Sequence, residues 1–298
     1  MPDPLVERFG QHDRRALARL ISQAARGEKL PDGLPAPTRH SRVVAVTGSG
    51  GVGKSTLIGK LIEHFRERNL TVAVIACDPQ SPLSGGALLG DRFRMPSRPA
   101  DDGVFIRSLA AARGPLAEHL PAVIRLLEAF GFDLILLETV GAGQADTAVR
   151  HLADLLVLAL QPETGDDLQW EKAGLMEVAD VVAIHKADLP GAESAAAQVR
   201  SALDLSGARP VPVIRVSSKT GEGIDDLART IADCPPRRSG NPGDARELLR
   251  IAQEELALRF IRAEKANDPR LAELAERWKR GELGLREALT ELVRHLDT

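Results

Sequence analysis

Apolar residues recur along the central part of the chain in short, nearly continuous runs that are rich in valine, isoleucine and leucine. The runs are VVAVTG, TVAVIACD, GVFIRSL, FDLILLET, ADLLVLALQ, ADVVAIHKAD and VPVIRVSS, and helix-length stretches separate most of them. Runs of this length and composition are typical of strands that are buried on both faces of a parallel sheet. The pattern therefore predicts an α/β fold, with a mainly parallel sheet flanked by helices.

Helical periodicity replaces this rhythm towards both ends of the chain. At the amino end, Asp13 is placed to cap a short amphipathic helix that Gly27 ends, and the Pro/Gly-rich stretch PDGLPAPTRH follows it. After Pro242, apolar residues repeat at spacings of three and four almost to the last residue. We therefore expect an N-terminal helical extension and linker at 1–40, an α/β domain at 41–240 and a C-terminal helical arm at 241–298.

Charge and cysteine content argue against several classes of protein. Charged residues make up 27% of the chain, the net charge is -3 and no long run of one sign occurs, which argues against a nucleic-acid footprint and a membrane-surface patch. Cys77 and Cys234 are too few for a disulfide framework or a cysteine-built metal site. Neither a signal peptide nor a run long enough to span a membrane is present in the sequence. We expect a cytoplasmic protein that binds neither nucleic acid nor a membrane.

Several of the apolar runs lead directly into Gly, Asp, Glu, Ser or Lys. Ligands of open parallel sheets bind outside the carboxyl ends of the strands, so these polar residues predict one composite site. Its firmest part is GSGGVGKS at 48–55, which matches the P-loop pattern G-x-x-x-x-G-K-[ST] between a strand and an amphipathic stretch. Backbone N–H groups of such a loop cradle phosphates. The predicted phosphate-binding residues are Gly50, Gly51, Val52, Gly53, Lys54, Ser55 and Thr56, with Gly141 further along the chain.

Acidic residues near the carboxyl ends of two other strands predict a magnesium site beside the P-loop. Glu138 ends its strand with Gly141 three residues on, Asp78 ends the strand after the P-loop helix, and Asp91 lies on the long segment that follows. Hard oxygen ligands with retained waters suit Mg²⁺, so we expect Ser55, Asp78, Asp91 and Glu138 to hold it. A turn-forming role for Asp78 and a solvated loop charge at Asp91 are the alternatives.

The sequence VVAIHKAD ends a strand with His-Lys-Ala-Asp, where guanine-binding proteins have Asn-Lys-x-Asp. A carboxylate accepts hydrogen bonds from N1–H and the 2-amino group of guanine, and such a site rejects the wrong base by roughly 10⁴-fold. We therefore predict a guanine site with somewhat weakened affinity, in which a ring N–H of His185 restores part of what asparagine supplies. The predicted guanine-binding residues are His185, Lys186, Asp188, Ser217, Ser218 and Lys219. A strand end followed by a polar turn is the alternative.

With GSGGVGKST, DPQSP, GDRFRM, FIRSL, ETVGAGQ, GDDLQWEKAGLMEVAD and HKAD in this order, the chain resembles the SIMIBI class of P-loop GTPases. Within that class it is similar to the MeaB/ArgK group, the GTPase chaperones of adenosylcobalamin-dependent acyl-CoA mutases, over nearly its whole length. The resemblance implies that Lys54, Asp78, Asp91 and Glu138 form the catalytic and magnesium centre. It also implies switch segments that contain Arg94, Gln144, Asp146, Asp166 and Lys172.

The same resemblance implies a function. The chain would bind GTP and GDP with Mg²⁺, hydrolyse GTP slowly until a partner stimulates it, gate cobalamin loading of an acyl-CoA mutase such as methylmalonyl-CoA mutase, and protect that mutase. It also implies a homodimer, with the C-terminal helices as an arm for dimerisation or for the partner. The alternatives are a nucleotide-dependent binding switch with negligible turnover and a P-loop small-molecule kinase. A kinase would leave HKAD and ETVGAGQ without a role.

Overall fold

The computed structural model describes residues 3–79, 101–111, 117, 119–140, 152–162, 178–205, 210–235 and 268–296, with isolated positions between 245 and 263. The chain divides into two compact units, Met1–Ser239 and Gly240–Thr298. The first unit contains every strand in the described part of the chain.

The strands of the first unit are β1 (Arg42–Thr47), β2 (Val72–Pro79), β3 (Val104–Ala111), β4 (Leu134–Glu138), β5 (Leu155–Leu160), β6 (Val181–His185) and β7 (Val213–Val216). They form one seven-stranded sheet in the order β3-β2-β4-β1-β5-β6-β7, and every neighbouring pair is parallel. The predicted α/β fold with a parallel sheet is confirmed. Because all strands run the same way, their carboxyl ends meet at one edge of the sheet, where ligands of this architecture bind.

The helices of the first unit are α1 (Pro4–Gly10), α2 (Arg14–Ala25), α3 (Lys54–Glu67), α4 (Leu120–Phe130), α5 (Ala192–Leu205) and α6 (Ile224–Asp233). Alternate residues of a strand point to opposite faces of a sheet, and here both faces are covered. Val43 and Ala45 pack with α2 and α4, whereas Val44 and Val46 pack with α3 and α6. Helix α5 covers the outer strands β5 and β6 on the face of α2 and α4. This two-sided burial explains why the strands read as continuous apolar runs.

Helix α2 is the amphipathic helix that the sequence predicts. The Asp13 side chain caps it, accepting hydrogen bonds from the backbone N–H groups of Arg15 (2.7 Å) and Ala16 (3.2 Å). Its apolar face, which includes Leu17, Leu20 and Ile21, is fully buried. The preceding helix α1 is not predicted by the sequence pattern, because a seven-residue helix shows too little periodicity.

Carboxylates also occur at the opposite edge of the sheet, where they accept hydrogen bonds from backbone N–H groups. Asp154 and Asp180 precede β5 and β6, and each accepts a hydrogen bond of 2.8 Å from a strand N–H, of Val43 and Leu156 respectively. Asp133 precedes β4 and accepts from the backbone N–H of Thr71 at 2.7 Å. These buried or half-buried acids therefore satisfy backbone donors at or beside the strands, which distinguishes them from Asp78 and Glu138 at the carboxyl ends of β2 and β4.

The second unit contains helices α7 (Pro269–Lys279) and α8 (Leu285–Leu296) among its described residues. The Asp268 side chain caps α7, and Arg277 of α7 pairs with Glu291 of α8 at 2.8 Å. Leu274 of α7 and Ala288 of α8 are buried, whereas Leu285 and Leu289 of α8 are exposed. The homodimer stays a prediction. No helix in the described part of the chain is long and apolar enough to cross a bilayer.

Candidate functional site

The P-loop connects β1 to α3 and depends on glycine for its shape. Gly48, Gly51 and Gly53 have φ angles of 145°, 75° and 99°, in the region that side chains rarely adopt. A Cβ at Gly48 would collide with the carbonyl oxygen of Ala159, whereas a Cβ at Gly50 or Gly51 would meet nothing within 4 Å. The loop therefore packs tightly against β5 on one side and keeps an open concavity at Gly50 and Gly51, where a phosphate fits.

Helix α3 points its amino end at this concavity. It begins at Lys54, and its N-cap residue Gly53 has no side chain to cap it, so the positive end of the helix faces the loop. The Nζ atom of Lys54 lies across the loop and donates to the carbonyl oxygens of Gly48 at 2.9 Å and Ser49 at 3.2 Å. Lys54 is 8% exposed, and Thr56 is exposed in the first turn. The cradle thus combines a glycine loop, a helix end and a buried ammonium group.

Oxygen donors gather beside the cradle. The Ser55 hydroxyl donates to Oε1 of Glu138 at 2.7 Å, although 83 residues separate them along the chain. Ala76 of β2 lies opposite Glu138 of β4, so Asp78 stands two positions beyond Glu138 on the neighbouring strand. Glu138 and Asp78 are 5% and 6% exposed. Buried carboxylates are costly unless a cation compensates them, and a hydroxyl with two carboxylates suits Mg²⁺.

Two further observations describe the surroundings of these oxygen donors. Within the described residues, no group of three or more His, Cys, Asp and Glu side chains forms a metal cage. Mg²⁺ needs no such cage, because it keeps waters and shares phosphate oxygens. The nearby Cys77 is buried, which raises the pKa of its thiol to about 12, and its Sγ accepts a hydrogen bond from the N–H of Ala117. Burial therefore keeps the thiol protonated at neutral pH.

His185 lies at the end of β6 and is only 4% exposed. Its Nδ1 lies 2.7 Å from the carbonyl oxygen of Val52 in the P-loop, and its Nε2 lies 2.8 Å from Oγ of Ser218. Burial lowers the pKa of His185 below its ordinary value of 6.5, and the hydrogen bond to Val52 opposes that effect. Both ring nitrogens therefore contact protein groups, and the predicted contact of this ring with guanine stays a prediction.

Lys186 follows with a φ angle of 59°, a left-handed conformation that is uncommon for lysine. This turn directs its side chain back over the P-loop. Its Nζ donates to Oε1 of Gln161 at 2.7 Å and lies 3.3 Å from the carbonyl oxygen of Gly51. The aliphatic stem of Lys186 thus borders the space next to the phosphate cradle. Gln161, directly after β5, is the first residue of a segment that the family resemblance implies is a switch, but the sequence does not predict its contact with Lys186.

Asp188 is held by the turn that follows β7. The Ser217 hydroxyl donates to Oδ1 of Asp188 at 2.6 Å, and this hydrogen bond is the main reason why the pKa of Asp188 is lowered from its ordinary value. Lys219 Nζ lies 4.0 Å from Oδ2 and adds to the effect. Oγ of the fully buried Ser217 also accepts from the backbone N–H of Thr220 at 3.2 Å. Asp188 is therefore an ionised, oriented acceptor at neutral pH.

The structure brings most of the predicted site residues to one edge of the sheet. Lys54, Ser55, Asp78 and Glu138 surround the phosphate cradle, and the β6 and β7 ends adjoin the cradle through Val52 and Gly51. The remaining predicted residues, Asp91, Arg94, Gly141, Gln144, Asp146, Asp166 and Lys172, lie outside the described residues.

Comparisons with known proteins agree with this arrangement. A family model described as "Methylmalonyl Co-A mutase-associated GTPase MeaB" matches residues 18–266. A protein of Pyrococcus abyssi that carries a GTPase name is 44% identical over 240 residues, which are 76% of this chain and 74% of that protein.

Two other similarities extend the comparison. A region of a protein named "Fused isobutyryl-CoA mutase" from Cupriavidus metallidurans is 42% identical over 193 residues, which are 61% of this chain and 18% of that protein. A crystal structure titled as an LAO/AO transport system kinase is 26% identical with a TM-score of 0.64, and the match covers 99% of this chain and 97% of that one. The likeness to that solved structure therefore extends over nearly the full length of both chains.

Proposed function

Because the chain belongs to the MeaB family of methylmalonyl-CoA mutase-associated GTPases, we propose that it is a GTP-hydrolysing chaperone of a cobalamin-dependent acyl-CoA mutase. In this role the chain binds GTP with Mg²⁺, gates loading of the cobalamin cofactor into the mutase, and protects the mutase. The observation that carries the proposal is the joining of a phosphate cradle, an oxygen-donor cluster and an oriented carboxylate at one sheet edge.

Asp188 supports guanine as the base. Its Oδ1 accepts the Ser217 hydroxyl, and its remaining acceptor positions suit the N1–H and 2-amino donors of guanine. Adenine offers no such pair of donors at that edge, so it would leave a charged carboxylate without compensation. Lys186 Nζ is anchored by Gln161, which leaves its stem to pack along the plane of the base.

The phosphate cradle supports hydrolysis of the γ-phosphate. Ser55, Glu138 and Asp78 would hold Mg²⁺, directly or through water, and bound Mg²⁺ supplies neutralisation of charge on the phosphate oxygens. Lys54 exchanges its two carbonyl acceptors for phosphate oxygens, and its ammonium group then stabilises charge in the transition state. Glu138 and Asp78 are almost fully buried, which would make their attraction for Mg²⁺ stronger than that of exposed carboxylates.

The partner is supported by the fused relative. A region of the protein named "Fused isobutyryl-CoA mutase" from Cupriavidus metallidurans is similar to this chain. Covalent joining gives two modules a high effective concentration, which favours modules that act on each other. We therefore propose an adenosylcobalamin-dependent acyl-CoA mutase as the partner of this chain, together with a homodimeric state.

A cofactor-loading assay tests the chaperone role. Mutase without cofactor would be mixed with adenosylcobalamin and this chain, in the presence of GTP, GDP or a non-hydrolysable GTP analogue, and the bound cobalamin would be followed by its absorbance. We expect the fraction of loaded mutase to depend on which nucleotide is present, and the Lys54→Ala variant to lose that dependence. Loading that is identical under all nucleotides and with both proteins would contradict the chaperone role and favour a nucleotide switch for another partner.

A further inference from the structure

The imidazole of His185 lies between the P-loop and the turn that follows β7. A Cβ added at Gly53 would lie 2.5 Å from its Cε1 and 2.6 Å from its Nδ1, so this edge of the ring packs closely against the P-loop backbone. On one side Nδ1 meets the carbonyl oxygen of Val52 at 2.7 Å, and on the other Nε2 meets the hydroxyl of Ser218 at 2.8 Å. The ring thus bridges the P-loop and the turn at 217–220, which we call the guanine loop.

The partners fix the position of the ring proton. A backbone carbonyl oxygen only accepts hydrogen bonds, so Nδ1 must carry the proton and donate to Val52. In a neutral ring Nε2 is then an acceptor, and the Ser218 hydroxyl donates to it. Burial at the end of β6 favours that neutral ring.

We propose that His185 is a positioning residue that clasps the P-loop to the guanine loop as its Nδ1–H tautomer, so that the base subsite and the phosphate cradle act as one unit. Ser218 is the neighbour of Ser217, which orients Asp188, and Val52 lies between two glycines of the cradle. The His185 side chain would therefore connect the turn that orients Asp188, the proposed guanine acceptor, to the P-loop, the proposed phosphate site. This inference rests on the proposed function, because it assigns the two subsites to one nucleotide.

The clasp, by which we mean the two hydrogen bonds of His185 to Val52 and Ser218, leads to a prediction that would not follow if His185 only filled space. Ser218 lies on the guanine loop, yet its loss should disturb the phosphate cradle through His185. Pyrophosphate with Mg²⁺ is a suitable probe, because it occupies the cradle without a base. An ordinary contact between Ser218 and guanine would affect GDP and leave pyrophosphate unchanged.

Two measurements on the full chain test the clasp. The first is the tautomer of His185, read from long-range ¹H–¹⁵N spectra at pH 8, in which the protonated ring nitrogen is distinguished by its shift. We expect Nδ1 to carry the proton. A spectrum in which Nε2 carries it would overturn the proposal, and this reading does not depend on whether the chain binds a nucleotide.

The second measurement is calorimetric titration of Mg²⁺-pyrophosphate and GDP with Ser218→Ala, His185→Ala and the double variant. One lost hydrogen bond weakens binding by about fivefold, so we expect Ser218→Ala to weaken both ligands by that factor. The double variant should be little weaker than His185→Ala alone, because both changes break the same link. Ser201→Ala, at an exposed position of α5 outside the guanine loop, is the matched control and should leave pyrophosphate binding unchanged.

The outcomes are separable. Unchanged pyrophosphate affinity in Ser218→Ala, or fully multiplicative losses in the double variant, would overturn the clasp while leaving guanine binding intact. If the native chain binds GDP no better than ADP, the proposed function fails, and the tautomer spectrum and pyrophosphate series still decide whether the clasp exists. Thermal unfolding of each variant shows whether a loss reflects the link or a misfolded chain.

Discussion

Replacement of Asp188 by asparagine tests base recognition most sharply. The change keeps the shape of the side chain and replaces one carboxylate oxygen with an amide NH₂. The Ser217 hydroxyl needs an acceptor, so the amide oxygen takes the place of Oδ1 and the NH₂ faces the base. Two charge-assisted hydrogen bonds to guanine, each worth about 1.5–3 kcal/mol, are then lost. We expect Asp188→Asn to weaken GDP binding by at least about 100-fold, since about 1.4 kcal/mol corresponds to tenfold.

The assay is calorimetric titration with GDP and ADP in Mg²⁺. ADP affinity should change only a few-fold, so the preference for guanine should nearly disappear. Asp204→Asn, at an exposed position near the end of α5, removes the same charge away from the site and should leave both affinities unchanged. A loss of GDP affinity below about fivefold would refute the reasoning, because the lost contacts would then be worth less than one neutral hydrogen bond.

Three other predictions concern the metal centre, His185 and the glycine that precedes α6. Glu138→Gln keeps the acceptor for Ser55 but removes the charge, so Mg²⁺ affinity of the nucleotide complex should fall by about 10- to 100-fold in a metal titration, and unchanged affinity would place Mg²⁺ elsewhere. Because burial lowers the pKa of His185, the unfolded chain binds more protons below pH 6.5, so the free energy of unfolding should fall as the pH drops below that value. This decline with pH should be shallower in His185→Asn. The unfolding free energy would be measured by denaturant titration at each pH, and the same dependence on pH in both proteins would contradict the prediction. A Cβ at Gly223, whose φ is 70°, would collide with the carbonyl oxygen of Arg215. Gly223→Ala should therefore lower the unfolding free energy by about 1–3 kcal/mol. An unchanged unfolding free energy would show that the turn tolerates the added side chain.

Much of the fold could be predicted because its determinants are local. Each buried strand corresponds to an apolar run in the sequence. Asp13 and Asp268 each cap the helix that begins at the next residue. The P-loop could be predicted for the same reason, since its glycines, Lys54 and Ser55 act within one short stretch. The glycines also occupy positive φ angles that few other residues tolerate.

The contacts of the site were harder to predict because they join residues that are distant along the chain. His185 and Val52 are 133 residues apart, and His185 and Ser218 are 33 residues apart. Substitution of histidine for asparagine indicates a change at the site, but only the packing of β6 beneath the P-loop shows where the ring nitrogens lie. The same holds for Gln161, whose contact with Lys186 follows from the pairing of β5 with β6.

The rate of GTP hydrolysis with and without a partner tests the central claim most directly. The purified chain would be assayed alone, with methylmalonyl-CoA mutase and with isobutyryl-CoA mutase, and Lys54→Ala would define the background. The account predicts slow hydrolysis by the chain alone and a clear increase with one of the adenosylcobalamin-dependent mutases. A rate that neither mutase changes, together with no binding of either mutase in any nucleotide state, would contradict it.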